Sequence, residues 1–367
     1  MALPLVHLTG SAYDQGCQHG EALREAIAAN IATYLERFER ELRLSREEAL
    51  GRALRYAAAL AQQSPAYAAG MRGIADGAGR SYAEIAALNV RYELFYHQFG
   101  VNAMADGCTV CAVLPEASAD RHLLLAENWD WLTGVRGAVL HSHEPDGLAV
   151  LAFSEAGIVG GKIGLNSAAL GLLINGLTST DDDWARLHKP FHLRCYEILR
   201  SRSLDAAIRT VSEGARSCSG NFLIAQIPDQ AWNIETAPHA VARIGCRGGC
   251  LVHSNHFVDP AALGVREPPV EKNPHSYWRY ERLSALLAAE RPLSLADLQS
   301  ALRDHQHHPY SVCFHSDPTE PPEEHYATVV SALIDLHARA LYLSDGPPCE
   351  NPYERYAFDA AAQQAVP

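Results

Sequence analysis

The chain's 367 residues, 48% hydrophobic and 20% charged, have the balance of a globular protein long enough for one large domain or two. A formal net charge of −13 excludes a sequence-independent grip on nucleic acid or anionic lipid, which needs a basic face, and leaves small molecules or peptides as the expected partners. The nine scattered cysteines do not resemble a paired disulfide framework, and neither a secretion signal nor the roughly 18 apolar residues of a membrane span is present, so reduced thiols in a cytoplasmic protein are expected.

The first hundred residues read as helical. Ile27, Ile31, Tyr34, Leu35, Phe38 and Leu42 recur at steps of mostly three and four, one apolar stripe facing a core. Ser45-Arg46-Glu47-Glu48 and Ser81-Tyr82-Ala83-Glu84 fit the capping box and predict helix starts near 45 and 81. The helical pattern ends at about Phe99, and 100–107 reads as a loop of small and polar residues. From Cys108 the period becomes that of strands, at 108–114, 122–127, 137–143, 148–153, 158–165 and 168–175, spaced as an antiparallel meander. Helices at 189–202 and, capped by Ser203, at 204–212 interrupt them; strands resume at 221–227 and 231–235. Helices at about 274–289 and 294–304 and strands at 327–336 and 340–343 complete the pattern. Separate runs of strands and helices predict an α+β protein, two stacked antiparallel sheets flanked by helices and preceded by a helical segment. No repeat or flexible linker divides it, so 1–107 and 108–367 are expected to form one structural unit.

The change of period falls at Gly107-Cys108. If that peptide bond is cut, Cys108 carries a thiol and a free α-amine on one residue, a nucleophile and its base. Their ordinary pKa values of about 8.5 and about 7.7–8.0 let a proton pass between them at little cost near neutral pH. Taken alone, the dipeptide reads as a small buried cysteine at a strand start. Glu127-Asn128-Trp129-Asp130-Trp131, at the end of an apolar strand, can aim polar groups into an aromatic-walled pocket, or close a turn. His253-Ser254-Asn255-His256-Phe257 offers an asparagine amide to a developing oxyanion, or a hydrogen-bonded loop. The run Ile158 to Asn166 is glycine-rich without a Gly-Lys-Ser/Thr step, and reads as a strand closely approached by another backbone.

Asp106-Gly107-Cys108-Thr109, Glu127-Asn128-Trp129-Asp130, Ile163-Gly164-Leu165-Asn166, Gly171-Leu172, Asn175-Gly176-Leu177, Ser219-Gly220-Asn221-Phe222-Leu223, His253-Ser254-Asn255-His256-Phe257 and Gly346-Pro347-Pro348-Cys349 occur in an order that resembles the acyl-coenzyme A:6-aminopenicillanic acid acyltransferases, of the N-terminal nucleophile hydrolase superfamily. Tyr13-Asp14-Gln15-Gly16 and His19-Gly20 are similar to that family's opening helix. The resemblance implies an αββα sandwich made as a zymogen that cuts itself between Gly107 and Cys108 into a tightly associated heterodimer of 1–107 and 108–367. It implies a Cys108 thiolate that attacks an amide or acyl thioester, acyl-coenzyme A among the donors, and passes the acyl group to an amine or to water. By the same resemblance Asp130 orients the α-amine and Asn255 donates to the oxyanion, while Thr109, Asn128, Trp129, His256 and His325 are further candidates around the substrate. No cofactor and no metal is implied. Where the family has a Ser-Arg pair before a late strand this chain reads Glu324-His325, so a β-lactam substrate is not implied.

Three rival readings remain at this point. His141-x-His143, His253-x-x-His256, His305-x-His307-His308, Cys246-x-x-x-Cys250 and Cys108-x-x-Cys111 would be metal or redox groups if the fold gathered them, but none has a strong ligand spacing, and solvated or hydrogen-bonded side chains are expected. An uncleaved hydrolase would pair Cys108 with His253 or His256. A non-catalytic binder would hold a small ligand under Trp129 and Trp131. Within the enzyme reading, Tyr92, Phe95, Tyr96 and Phe99 are expected at the pocket mouth, where they would set acyl preference.

Overall fold

Serine side chains decide where several N-terminal helices begin. Ser11, Ser45 and Ser81 each accept from the N–H three residues on, and Asp14, Glu48 and Glu84 reach back to the serine N–H. These boxes start α1 (Ala12–Ala22), α3 (Arg46–Gln63) and α5 (Tyr82–Asn89). Between and after them lie α2 (Arg24–Leu42), α4 (Pro65–Ala78) and α6 (Arg91–Phe95), with Pro65 in the first turn of α4. The expected starts near 45 and 81 are therefore observed. The computed structural model describes residues 2–95, 107–269, 274–289, 291–322 and 325–358.

One strand precedes these helices, β1 (Leu5–Leu8). It adds in parallel to the edge of β4 (Gly137–His143), whereas every other strand pair among the described residues is antiparallel. The expectation that the first hundred residues are only helical thus fails at β1, which is four residues long and too short to show a period. An eight-stranded sheet has the order β1, β4, β5 (Ala149–Glu155), β6 (Ile163–Asn166), β7 (Leu170–Asn175), β8 (Gly220–Gln226), β9 (Gln230–Ala237), β10 (Ala240–Gly245). A six-stranded sheet has the order β11 (Cys250–His253), β2 (Thr109–Val113), β3 (Leu124–Leu132), β12 (Tyr326–Asp335), β13 (Ala340–Asp345), β14 (Glu354–Ala357). The glycine-rich run is a strand only from Ile163 to Asn166, since Ile158 to Gly160 bend, with Gly160 at φ 71°; within the strand a Cβ on Gly164 would overlap Leu151 and Ala152 of the neighbouring strand, the close approach expected.

The inner faces of both sheets share one large core. Helices α7 (Phe191–Leu199) and α8 (Leu204–Ser212) pack on the eight-stranded sheet, while α10 (Pro274–Ala289) and α11 (Leu295–Leu302) pack on the six-stranded one, after a single turn α9 (Pro260–Leu263). The second helix pair covers a separate core of Cys111, Val113, Leu124, Leu283, Leu287 and Leu298. The protein is thus an αββα sandwich of the α+β class, with helix, sheet, sheet and helix as its layers. Asn30 in α2 donates to the carbonyls of Arg136 and Ala156, at 2.9 Å each, and so ties the N-terminal helices to the sheet. Among the described residues no helix is long and apolar enough to cross a membrane.

Candidate active site

Strand β3 does not end at Glu127, as its sequence pattern suggests, but runs through five more residues to Leu132, all of them buried. Other layers satisfy its polar side chains, so the strand continues. Alternation then sorts them. Asn128 donates to the carbonyls of Leu302 (2.9 Å) and Val312 (2.8 Å) and accepts from Ser331 Oγ at 2.5 Å. Its amide thereby fastens the end of α11 to the sheet. Asp130, two residues on, accepts from Thr328 Oγ1 at 2.6 Å, and that hydroxyl accepts in turn from the Phe314 N–H at 3.1 Å. The register between β3 and β12 shifts directly after Thr328.

Asp130 stands against Gly107. A Cβ on Gly107 would lie 2.7 Å from Asp130 Oδ2 and 3.1 Å from Phe314 Cδ2, so the position has room only for glycine. Cys108 follows, 1% exposed, just before β2 and in the core between the sheets. Cys111 faces the other way, into the core beneath α10 and α11, as the alternation predicts.

Arg279 of α10 reaches this step. Its Nη1 donates to the Gly107 carbonyl, to the Cys108 carbonyl at 2.9 Å and to Thr109 Oγ1 at 2.7 Å, and its Nη2 donates to Asn255 Oδ1 at 3.0 Å. Asn255 Nδ2 donates to the Gly176 carbonyl at 3.1 Å. Asn175 Nδ2 also donates to the Cys108 carbonyl, at 3.1 Å. Behind Asn175 runs a buried relay in which Asn221 donates to Asn175 Oδ1 (2.8 Å) and to Asn233 Oδ1 (3.1 Å). The structure therefore brings Gly107, Cys108, Thr109, Asp130 and Asn255 together.

Sequence reasoning missed Arg279, although a signal was present. Ser276, Arg279, Leu283 and Leu287 recur at three and four residues on the buried face of α10, so an arginine occupies a core position of the helix. Asn175 and Asn221 stood in quoted motifs without a role, and Thr328 had none.

The opposite face of β3 carries Trp129 and Trp131 into the inter-sheet core, where the chain's own cations cover them. Lys162 Nζ lies 3.1 Å from the Trp129 ring centroid, and the Arg91 guanidinium 4.7 Å from that of Trp131. Both cations bind Glu155, Lys162 Nζ to Oε1 at 2.5 Å and Arg91 Nε to Oε2 at 3.0 Å. Burial alone would raise the Glu155 pKa, but Arg91 and Lys162 hold it far below the usual carboxylate range. Burial lowers Lys162 to about 8 against the pull of Glu155, and the Cys108 sulfur lies within electrostatic reach of this ammonium.

The histidines are engaged elsewhere. Both ring nitrogens of His253 are taken, by Ser254 O and Glu235 Oε1 at 2.7 Å each. His256 Nδ1 meets Ser254 Oγ (3.1 Å) and Ser276 Oγ (2.8 Å), its ring stacks on Tyr277, and burial pushes its pKa down to about 3. His325 Nε2 pairs with the Glu320 carbonyl at 2.9 Å. Tyr92 donates to Ser219 O at 2.7 Å and stacks on Phe191, while Phe95 packs on Phe38 and Trp131. Tyr96, Phe99, Asp106 and Glu324 lie outside the described residues.

The chain is similar to several known proteins. Among solved structures the chain is similar to penicillin V acylase from Agrobacterium tumefaciens (14% identity, TM-score 0.46, 65% of this chain and 83% of that one). It is also similar to a C2A mutant of conjugated bile acid hydrolase from Clostridium perfringens (13% identity, TM-score 0.46, 70% and 93%). In sequence it is 28% identical over 323 residues to the 40 kDa form of acyl-coenzyme A:6-aminopenicillanic-acid-acyltransferase from Emericella nidulans, covering 84% of each. The sequence model of the acyl-coenzyme A:6-aminopenicillanic acid acyl-transferase family matches residues 117–348, and the chain belongs to that family, an enzyme of C–N bond chemistry.

Proposed function

We propose that this enzyme is an acyltransferase or amide hydrolase that activates itself by cutting Gly107–Cys108 and then uses Cys108 as its N-terminal nucleophile. The carrying observation is the Arg279 guanidinium, which donates to the carbonyl of Gly107 and to the two groups that follow it. A donor held at a peptide carbonyl opposes the charge that develops on its oxygen when a nucleophile adds.

In the first step the Cys108 thiol adds to the Gly107 carbonyl carbon and the C–N bond breaks. The thiol proton ends on the freed α-amine, and a Gly107 thioester remains on Cys108. Water then adds to the thioester, which releases a Gly107 carboxylate and returns the thiol. The α-amine so produced is the base for turnover, and Asp130, wedged beside Gly107, is its orienting carboxylate. The thiolate attacks the carbonyl of a small amide or acyl thioester to form an acyl-enzyme, which an amine or water resolves. Asn255 and Arg279, bonded to each other at 3.0 Å, are the donors for that oxyanion. The two segments would stay together as a heterodimer, because β1 and α2 are joined to the sheet by hydrogen bonds that the cut leaves intact.

The test is the intact mass of freshly purified protein under denaturing conditions, beside Cys108→Ala. Two fragments meeting at Gly107/Cys108, absent from the variant, are expected, followed by loss of turnover on alkylating one thiol. A single full-length species with wild-type turnover would overturn the reading.

A further inference from the structure

Four side chains outside this site converge on one point. His305 follows α11, Cys313 and His315 lie on the segment leading to β12, and Cys349 lies between β13 and β14. Their ligand atoms all fall within 4.8 Å of one another. His305 Nε2 and His315 Nε2 are 3.1 Å apart, Cys313 Sγ and Cys349 Sγ are 3.5 Å apart, and His315 Nε2 stands 3.5 Å from Cys313 Sγ and 3.4 Å from Cys349 Sγ. Around a tetrahedral zinc ion with Zn–S of about 2.3 Å and Zn–N of about 2.05 Å, the corresponding edges are about 3.8 Å (S to S), about 3.6 Å (S to N) and about 3.3 Å (N to N). These four edges are each within about 0.3 Å of the tetrahedral figure, and the other two, from His305 to the sulfurs, are no longer than 4.8 Å, so His305 has to close in on an ion.

The surroundings fit as well. His315 Nδ1 stands 3.6 Å from Glu350 Oε1, so a carboxylate lies on the far side of an imidazole whose other nitrogen faces the cluster, within a short side-chain movement of the hydrogen bond common behind zinc-bound histidines. Two thiolates and two neutral imidazoles balance the charge of one divalent cation. His305 and Cys349 are exposed, which gives an ion a way in.

We propose that His305, Cys313, His315 and Cys349 form a structural zinc site. Binding forms two Zn–S and two Zn–N bonds and releases the two thiol protons to solvent. Four protein ligands close the coordination sphere, which is the pattern of a structural and not a catalytic zinc. Its position gives it work to do. Phe314, between two of the ligands, is the residue whose ring lies against Gly107 and whose N–H holds Thr328. The ion pins that wall by tying the segment after α11 to the turn between β13 and β14. Of the histidine runs in the sequence only His305 takes part, and the spacing His305-x7-Cys313-x-His315-x33-Cys349 matches no compact ligand motif.

The experiment is elemental analysis of the full chain, purified without a histidine tag and without chelator, followed by exchange with Co²⁺. About one zinc per chain is expected, with the absorption of a tetrahedral dithiolate cobalt centre after exchange. The exposed-ligand variants Cys349→Ser and His305→Ala should retain at least tenfold less metal, and chelation should lower the melting temperature of wild type but not of the variants. Failure to take up Zn²⁺ or Co²⁺ when supplied overturns the site, as does equal metal content in Cys349→Ser. A Cys313–Cys349 disulfide, seen as a mass two hydrogens lower that a reductant restores, also overturns it. None of these readings depends on whether Gly107–Cys108 is cut.

Discussion

Arg279→Met removes every donor of the guanidinium while keeping a side chain of similar length in the core. Arg279 is 1% exposed, and four acceptors depend on it: Gly107 O, Cys108 O, Thr109 Oγ1 and Asn255 Oδ1. Nη1 carries two hydrogens for three of them, so the bonds are shared and their energies do not simply add. Loss of one preorganised donor to a developing oxyanion typically costs about 2.7–4 kcal/mol, or about 10²–10³ in rate. Self-cleavage of Arg279→Met should therefore slow by about that factor, read as the decay of full-length mass after cell-free synthesis. Arg279→Lys keeps the charge but not the planar fork and should fall between the two. It also guards against misfolding, since it leaves the site charged and can be checked by circular dichroism. A folded Arg279→Met that processes within about threefold of wild type, a difference of under 1 kcal/mol, would refute the role given to the guanidinium.

Four other perturbations probe the same frame. Gly107→Ala pushes a methyl into Asp130 and Phe314, an overpacking that typically costs about 1–3 kcal/mol, and precursor should accumulate; rapid, complete processing would show that the wedge is unimportant. Thr328→Val removes the 2.6 Å hydroxyl bond to Asp130 and the acceptor of the Phe314 N–H, so turnover should drop and urea titration should show a loss of about 1.5–3 kcal/mol, the range for a bond to a charged group; wild-type turnover and midpoint would contradict the contact. Lys162→Met strips Glu155 of one of its two cations while leaving a buried carboxylate, and urea titration should show a loss of about 3–5 kcal/mol; an unchanged midpoint would contradict the network. His19 accepts from the Gly157 N–H at 2.9 Å, and burial lowers its pKa to about 4. The unfolded chain takes up this proton near pH 6.5 and the folded one only near 4, so stability falls as pH drops through that window, by about 3 kcal/mol in all. His19→Gln should flatten this part of the pH profile, and equal slopes for variant and wild type between pH 7 and 4 would disprove it.

Much of this architecture was legible along the chain because it is written in short-range terms. A serine and an acidic residue three positions apart start a helix whatever lies around them, so Ser45 and Ser81 mark α3 and α5 correctly. The change from helical to alternating period at Cys108 marks the start of the sandwich, and alternation alone puts Cys108 and Cys111 on opposite faces. Short or exposed strands escaped. β1 has four residues, and β10 is half-exposed and carries Arg243, so neither has an apolar period to detect. Asn128 and the tryptophans were legible as residues with a task, but their tasks were assigned by layers that the sequence does not display: α11 above the sheet for Asn128, Lys162 and Arg91 beneath it for the rings.

What the sequence determined by itself was therefore local: the helix starts, most of the strands, the Gly107-Cys108 step and the order of motifs around it. Only the tertiary structure decided which distant side chains meet there. Arg279 reaches a carbonyl 172 positions away, and Cys349 meets Cys313 across 36. Hydrogen bonds and metal ligation act over about 2–3 Å, a distance that chain position does not encode until packing of the sheets and helices has closed it.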